Sequence, residues 1–332
     1  MVTRNRKQQG FTLIELLVAL AIIGVMLPLI SNFSASAKRQ RTLAYEHQIY
    51  LDHIQIVEGF RQWARNENKG LLPTPYTNLA TKDTLAPVDL ASVDPKQVSL
   101  RNYLANGTLS LNAINTDGSA AKRAKVFQKL VGLVHVQPVE GVSSLTVKLQ
   151  YERGVIYQTS CPKDDACNTG LVGASPLYSS GWEAVLPDVE PIEFSTLDIQ
   201  QDKWRVTWDR VKEIKHRFRE AFTYSQLAAQ AGSLNNFFYK PSSGSSDIGQ
   251  LNCVSGWFDL STTDVLEHYG ISPSEVYGKT AWGGAIDYCP DYDPQGAGAN
   301  KPPHNGALRL NVNVTQGVAP NNNQSDNLII II

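Results

Sequence analysis

The sequence predicts an α+β protein: a long N-terminal α-helix packed on an antiparallel β-sheet globular domain with an extra helix. Three observations lead there. An apolar run, Phe11–Ile30, passes without a break into an amphipathic stretch that ends near Asn68. Alternating apolar and polar residues recur later, in "VGLVHVQPV", "SLTVKLQYERGVIYQTS" and "ALRLNVNV". Between them lies another stretch with helical spacing, "KWRVTWDRVKEIKHRFREAFTYSQLAAQAG". With 332 residues, 42% of them hydrophobic and 18% charged, the chain is large enough to bury a sizeable core.

The formal charge of −1 gives no global argument for a nucleic acid or an anionic surface as partner. The charge is unevenly spread, because the first ten residues hold Arg4, Arg6 and Lys7 and no acid. Taking these three from the 30 basic residues leaves 27 against 31 acids, a net −4 for the remainder.

Phe11–Ile30 carries one charge, Glu15, over a length that spans a bilayer as a helix. Beyond Ile30 the spacing stays helical. Leu43, Tyr50, Ile54 and Val57 form one stripe, with Ile49, Ile56, Phe60 and Trp63 beside it. Asn68-Lys69-Gly70 supplies a stop before Pro73 and Pro75. A helix from Phe11 to Asn68 is roughly 85 Å long at 1.5 Å per residue. Pro28 removes a backbone hydrogen bond inside it, and Gly24 weakens the same turn, so helix loss between Gly24 and Ile30 competes with a tolerated proline. His47 and His53 read as solvated or half-buried helix residues.

Residues 71–125 are rich in Thr, Asn, Asp, Ala and Pro and read as a long surface connection, with a short helix at Val98–Leu104. Two alternating strands follow, with Glu152-Arg153-Gly154 as the hairpin turn. "CPKDDAC" reads as a tight loop. In the second helix Val211, Ile214, Phe218 and Phe222 make the buried stripe, and Gly232 ends it. A polar break, "KPSSGSSDIGQ", leads to a short helix after Thr263, then to the strands "ALRLNVNV" and "NLIIII".

The four cysteines, Cys161, Cys167, Cys253 and Cys289, contain no CxxC pair and lie far from the histidines, which argues against zinc. An even count behind an export-like N-terminus favours two disulfides, most simply Cys161–Cys167 and Cys253–Cys289 because these close local loops. Two other pairings exist, and four unpaired thiols are the bland alternative.

An ionisable side chain in hydrocarbon costs a few kcal/mol, so Glu15 calls for a partner. A secretory signal cut after Ala37, in Ala35-Ser36-Ala37, leaves Glu15 without a use, and so does a plain membrane anchor. Gly10-Phe11-Thr12-Leu13-Ile14-Glu15, behind a short basic leader, resembles the class III signal of type IV prepilins and pseudopilins. The resemblance covers roughly residues 4–50. It implies a leader at 1–10, a transmembrane or filament-core half-helix at 11–30, an amphipathic half at 31–69, and a periplasmic or extracellular globular domain at 70–332. It also implies cleavage after Gly10 by a prepilin peptidase, methylation of Phe11, and assembly with other pilins. In that family the glutamate meets the new N-terminal amine of a neighbouring subunit. Such a buried pair is weak evidence of stability but is expensive to break, so Glu15 would act as a register key.

The resemblance places the protein in the inner membrane with a single span and later in an extracellular pilus. The order of elements fits the pilin architecture, and "YGKTAWGGAIDYC" is similar over a short stretch to the Trp-Gly-Gly strand entry of type IVb pilins. The large globular part and the second long helix depart from a major pilin and favour a minor or tip-located subunit. A type II secretion pseudopilin is the other candidate, although Glu15 argues against the tip pseudopilin that usually lacks it.

Signs of other chemistry are thin. Gly278-Lys279-Thr280 lacks the earlier glycine of a phosphate loop, Pro273 standing there, and neither HExxH nor GxSxG occurs. The chain therefore reads as a structural protein rather than an enzyme, with no cofactor. One cation candidate remains: Asp287, Asp291 and Asp293 near Gly296 suit calcium, against a plain acidic turn. Pro294 spoils an EF-hand pattern there. Lys203, Arg205, Arg210, Lys212, Lys215, Arg217 and Arg219 beside Trp204 and Trp208 suit nucleic acid. Asp202, Asp209, Glu213 and Glu220 dilute that charge and favour a solvated helix face.

Overall fold

A computed structural model of the protein describes residues 13–73, 94–104, 124–137, 146–159, 189–231, 233–296, 302 and 304–332. The chain divides into two compact units, Met1–His53 and Ile54–Ile332. The division falls inside one helix, α1, which runs over Leu13–Asn66. It continues through Gly24 and Pro28 in the single chain. Its end follows the expected stop: Lys69 and Gly70 take left-handed φ values of 55° and 82°, and the Gly70 N–H closes on the Ala64 carbonyl at 2.7 Å.

The second unit contains two antiparallel sheets where one was expected. The first holds β1 (Ala124–Val136), β2 (Val147–Thr159) and β3 (Ile192–Ser195), in that order. The second holds β4 (Ser245–Ser246), β5 (Trp257–Asp259), β6 (Asp287–Tyr292), β7 (Asn305–Asn311) and β8 (Asn327–Ile331). The helices are α2 (Pro95–Arg101), α3 (Leu197–Ala228), α4 (Val265–His268) and α5 (Ser274–Tyr277). Expected elements therefore stand within a few residues of their places, with α3 starting earlier and β1 longer than its pattern suggested. The predicted loop between Cys161 and Cys167, the proposed stop at Gly232 and most of 71–125 lie outside the described residues.

One expectation is overturned. Glu152-Arg153-Gly154 is no hairpin turn but the middle of β2, paired with Val131, Leu130 and Lys129 of β1. The reason is tertiary. Glu152 is buried, and its carboxylate takes the Lys129 ammonium at 2.8 Å and the Leu72 N–H at 2.5 Å. At Gly154 a Cβ would come within 2.5 Å of the Phe194 ring. The glycine is there for close packing in a strand, not for a turn.

Two large apolar clusters and a smaller third fill the unit. In one, Ile56, Phe60, Trp63 and Ala64 of α1 meet Leu100 of α2, Phe127 of β1, Ile156 of β2 and Ile199 of α3. In the other, Trp208, Val211, Ile214 and Phe218 of α3 pack on Leu308 and Leu310 of β7 and on Leu328 and Ile330 of β8. Ala307 and Ile329 point to the opposite face, joining Trp257, Cys253 and Cys289. The period of two places β7 and β8 side chains on both faces, which explains why "ALRLN" and "NLIII" are buried nearly throughout. Gln200, fully buried on α3, donates to the Lys69 and Gly70 carbonyls and accepts from the Trp282 indole at 2.7 Å, tying the end of α1 to the α5–β6 loop.

Candidate functional site

The N-terminal half of α1 is the first candidate. Leu13, Ile14, Leu16, Leu17, Val18, Leu20, Ile22, Ile23, Met26 and Leu27 are all more than half exposed. This helix is long and apolar enough to cross a membrane, and none of its apolar window is buried inside the protein. Burying a side chain of this size is worth about 1.5–3 kcal/mol, so the run requires lipid or other helices to cover it. Gly10 and Phe11 lie outside the described residues; the backbone of Glu15 is in the first turn of α1, and its side chain is outside them. The structure thus places Glu15 on the expected helix and does not test its pairing.

Further along, the two stripes read from the spacing part company. Ile49, Ile56, Phe60 and Trp63 are at most 5% exposed, whereas Leu43, Tyr50 and Ile54 are 64%, 38% and 42% exposed. Spacing alone could not say which stripe was core, because both are apolar at helical intervals. His53 is fully buried rather than half-buried, and His47 is exposed as expected.

In the globular unit the sequence missed the most heavily charged buried site. Arg309 on β7 is 1% exposed. Its Nε donates to Asp287 at 2.9 Å, one Nη to Asp247 at 2.7 Å and the other to the Asn321 carbonyl at 3.3 Å. Its guanidinium lies 4.6 Å from the centre of the Trp257 ring. One cation with two carboxylates is neutral when a single proton stays bound. Burial pushes the Asp287 carboxyl up to about 6, with Arg309 opposing the shift. Burial also acts to raise Asp247, but hydrogen bonds from Arg309 and Asn322 outweigh it and hold this carboxyl below its usual range. The raised group keeps its proton in the folded state between about pH 4 and 6, where the unfolded chain has lost it. Its contribution to stability is therefore present below pH 4 and is lost as pH rises to 6. The span corresponds to about 3 kcal/mol. Asp287→Asn is expected to flatten this segment of a denaturation-midpoint profile; an unchanged slope would assign it to other groups.

Cys253 and Cys289 form a disulfide, as expected. Asp291 lies against both sulfurs, at 3.7 and 3.6 Å, and is held by the Ser255 N–H at 3.0 Å and by the Ser255 hydroxyl. The calcium candidates are not brought together. Asp287 serves Arg309, Asp291 serves Ser255, and Asp293 accepts the Gln295 N–H at 2.9 Å. Among the described residues they form no shared ligand cluster. Their nearness in sequence was misleading, since the register of β6 shifts between Cys289 and Tyr292 and Asp293 lies beyond the end of the strand. Cys161 and Cys167 lie outside the described residues.

The basic residues of α3 are largely engaged within the protein. Lys203 donates to the Ala281 carbonyl at 3.4 Å, and burial, then Arg65 and Arg210, lower its pKa. Arg210 donates to the Lys279 carbonyl at 2.7 Å, while Arg205, Lys212 and Arg217 pair with Asp202, Asp209 and Glu213 on the same helix. Trp208 is core, and Trp204 stacks on it at 5.6 Å between ring centres. The aromatic–basic pattern is thus largely spent on packing and on i, i+3 and i, i+4 pairs.

No curated protein and no solved structure matches the chain. A family model does, over residues 5–27: the prokaryotic N-terminal methylation motif. The match covers Asn5–Gln9, the glycine–phenylalanine junction, Glu15 and most of the exposed apolar run. It implies processing by a prepilin peptidase and assembly with other pilins. The exposed helix adds what such an anchor needs. The chain carries the class III signal peptide of type IV pilins at residues 5–27.

Proposed function

We propose that the protein is a structural minor pilin of a type IV pilus, not an enzyme. A prepilin peptidase cuts it after Gly10 and methylates Phe11, leaving a mature helix that begins at the methylated amine. Glu15 lies four residues along, one helical turn from that amine, and pairs with the amine of a neighbouring subunit. The globular unit is displayed at the tip or surface of the filament, where it starts or caps assembly and makes contact for adhesion. The observation that carries this reading is the methylation motif at the head of an apolar helix that the rest of the chain leaves uncovered. A type II secretion pseudopilin shares that observation, and the genes beside this one distinguish the two.

The test is intact mass and N-terminal sequencing of the protein taken from its native membrane. The expected product begins at N-methylated Phe11, and a Gly10→Val variant keeps the ten-residue leader. A chain beginning at Lys38 would instead mean a secreted protein released after Ala37, and the pilin reading would fall.

A further inference from the structure

Three basic side chains, Lys38, Arg39 and Arg41, stand close together on α1 just past the apolar run. All three are exposed. None of them makes an ion pair among the described residues. There is also no acid anywhere between Glu15 and Glu46, so the charge is not neutralised along its own helix.

Their position along the helix is specific. The apolar run Phe11–Ile30 corresponds to about 30 Å of helix at 1.5 Å per residue, which matches the hydrocarbon thickness of a bilayer. Lys38 lies eight residues, about 12 Å, beyond Ile30, and its long side chain and those of Arg39 and Arg41 reach back toward the lipid headgroups. At 100° per residue the three side chains spread over about 160° of the circumference. They form a partial collar that covers just under half of the circumference, broader than the narrow seam of a coiled coil.

The collar is also on the wrong side for a topology signal. Basic residues normally stay with the leader on the cytoplasmic side, where Arg4, Arg6 and Lys7 already stand. A second group of three at the far end opposes that bias and calls for another use.

We propose that Lys38, Arg39 and Arg41 bind the phosphate headgroups of anionic lipids in the leaflet opposite the leader, fixing the depth of the helix before the subunit enters a filament. The inference rests on the reading of α1 as a membrane anchor. Each basic residue at an anionic surface contributes about fivefold in affinity, so the three together favour anionic over zwitterionic lipid by roughly a hundredfold at low salt.

The experiment uses the full chain, purified in a mild detergent doped with equal amounts of phosphatidylglycerol and phosphatidylcholine of matched acyl chains. Native mass spectrometry reads which lipid stays bound. The wild-type chain is expected to retain phosphatidylglycerol preferentially, and Lys38→Gln/Arg39→Gln/Arg41→Gln to fall to parity. A control variant, Lys212→Gln/Lys215→Gln/Arg217→Gln, keeps the preference. Equal retention of both lipids by the wild type, or an unchanged preference in the collar variant, overturns the proposal. So does a collar variant that binds lipid normally but fails to enter filaments, since the partner would then be a neighbour's carboxylates. Alkaline carbonate extraction of native membranes separates the two readings. Release of the chain would refute the anchor itself, and the collar with it.

Discussion

Replacing Arg309 with methionine is expected to destabilise the chain by about 3–5 kcal/mol, the usual cost of removing one partner from a buried ion pair. The side chain is 1% exposed and serves two carboxylates, Asp287 at 2.9 Å and Asp247 at 2.7 Å. Methionine fills much of the same space, so a cavity accounts for little of the loss. What remains is two carboxylates in a site whose cation has gone, and desolvated charge without a partner is the expensive part. The contact with the Trp257 ring disappears as well. The check is a denaturant midpoint for Arg309→Met beside the triple variant Arg309→Met/Asp247→Asn/Asp287→Asn. The triple variant is expected to recover much of the loss, because a fully neutral cluster leaves no charge stranded. A single-variant loss below about 1 kcal/mol would show that water reaches the carboxylates.

Opening the Cys253–Cys289 disulfide is expected to cost about 3–4 kcal/mol. The two residues are 36 apart in sequence, and a loop of that size loses closure entropy of this order when cross-linked in the unfolded chain. Both cysteines are fully buried with Trp257, Ala307 and Ile329, so the native packing does not itself depend on solvent at the bond. Cys253→Ala/Cys289→Ala measures the closure effect without introducing polar atoms. A midpoint unchanged within about 0.5 kcal/mol would mean that the unfolded chain already holds these segments together.

These two sites differ in how far the sequence revealed them. The disulfide was readable because an even cysteine count and short spacings carry a pairing rule. The Arg309 cluster was not, since its carboxylates lie 22 and 62 residues away. Nothing in local spacing marks an arginine inside "ALRLN" as buried rather than as the polar member of an alternating strand. Asp287 was noticed for the wrong reason. It was grouped with Asp291 and Asp293 by nearness in sequence, and the sheet sent it to a different partner. Glu152-Arg153-Gly154 failed for a related cause: two charges and a glycine have turn composition, but Lys129 and Phe194 supply a partner and a ring that make the same residues a strand interior.

Where the determinant is local, the sequence was sufficient. The methylation motif, the apolar run, the stop at Lys69-Gly70 and the buried stripe Val211, Ile214 and Phe218 each depend on residues within a few turns of one another. Composition and spacing therefore determine the N-terminal methylation motif, a helix long and apolar enough to cross a membrane, and an α+β unit. Only tertiary structure decides which of two apolar stripes on α1 is core, how the strands divide into two sheets, and which carboxylates serve Arg309. Those outcomes depend on what the other side of each contact offers, and a backbone pairing or a buried charge has no meaning until both partners are in place.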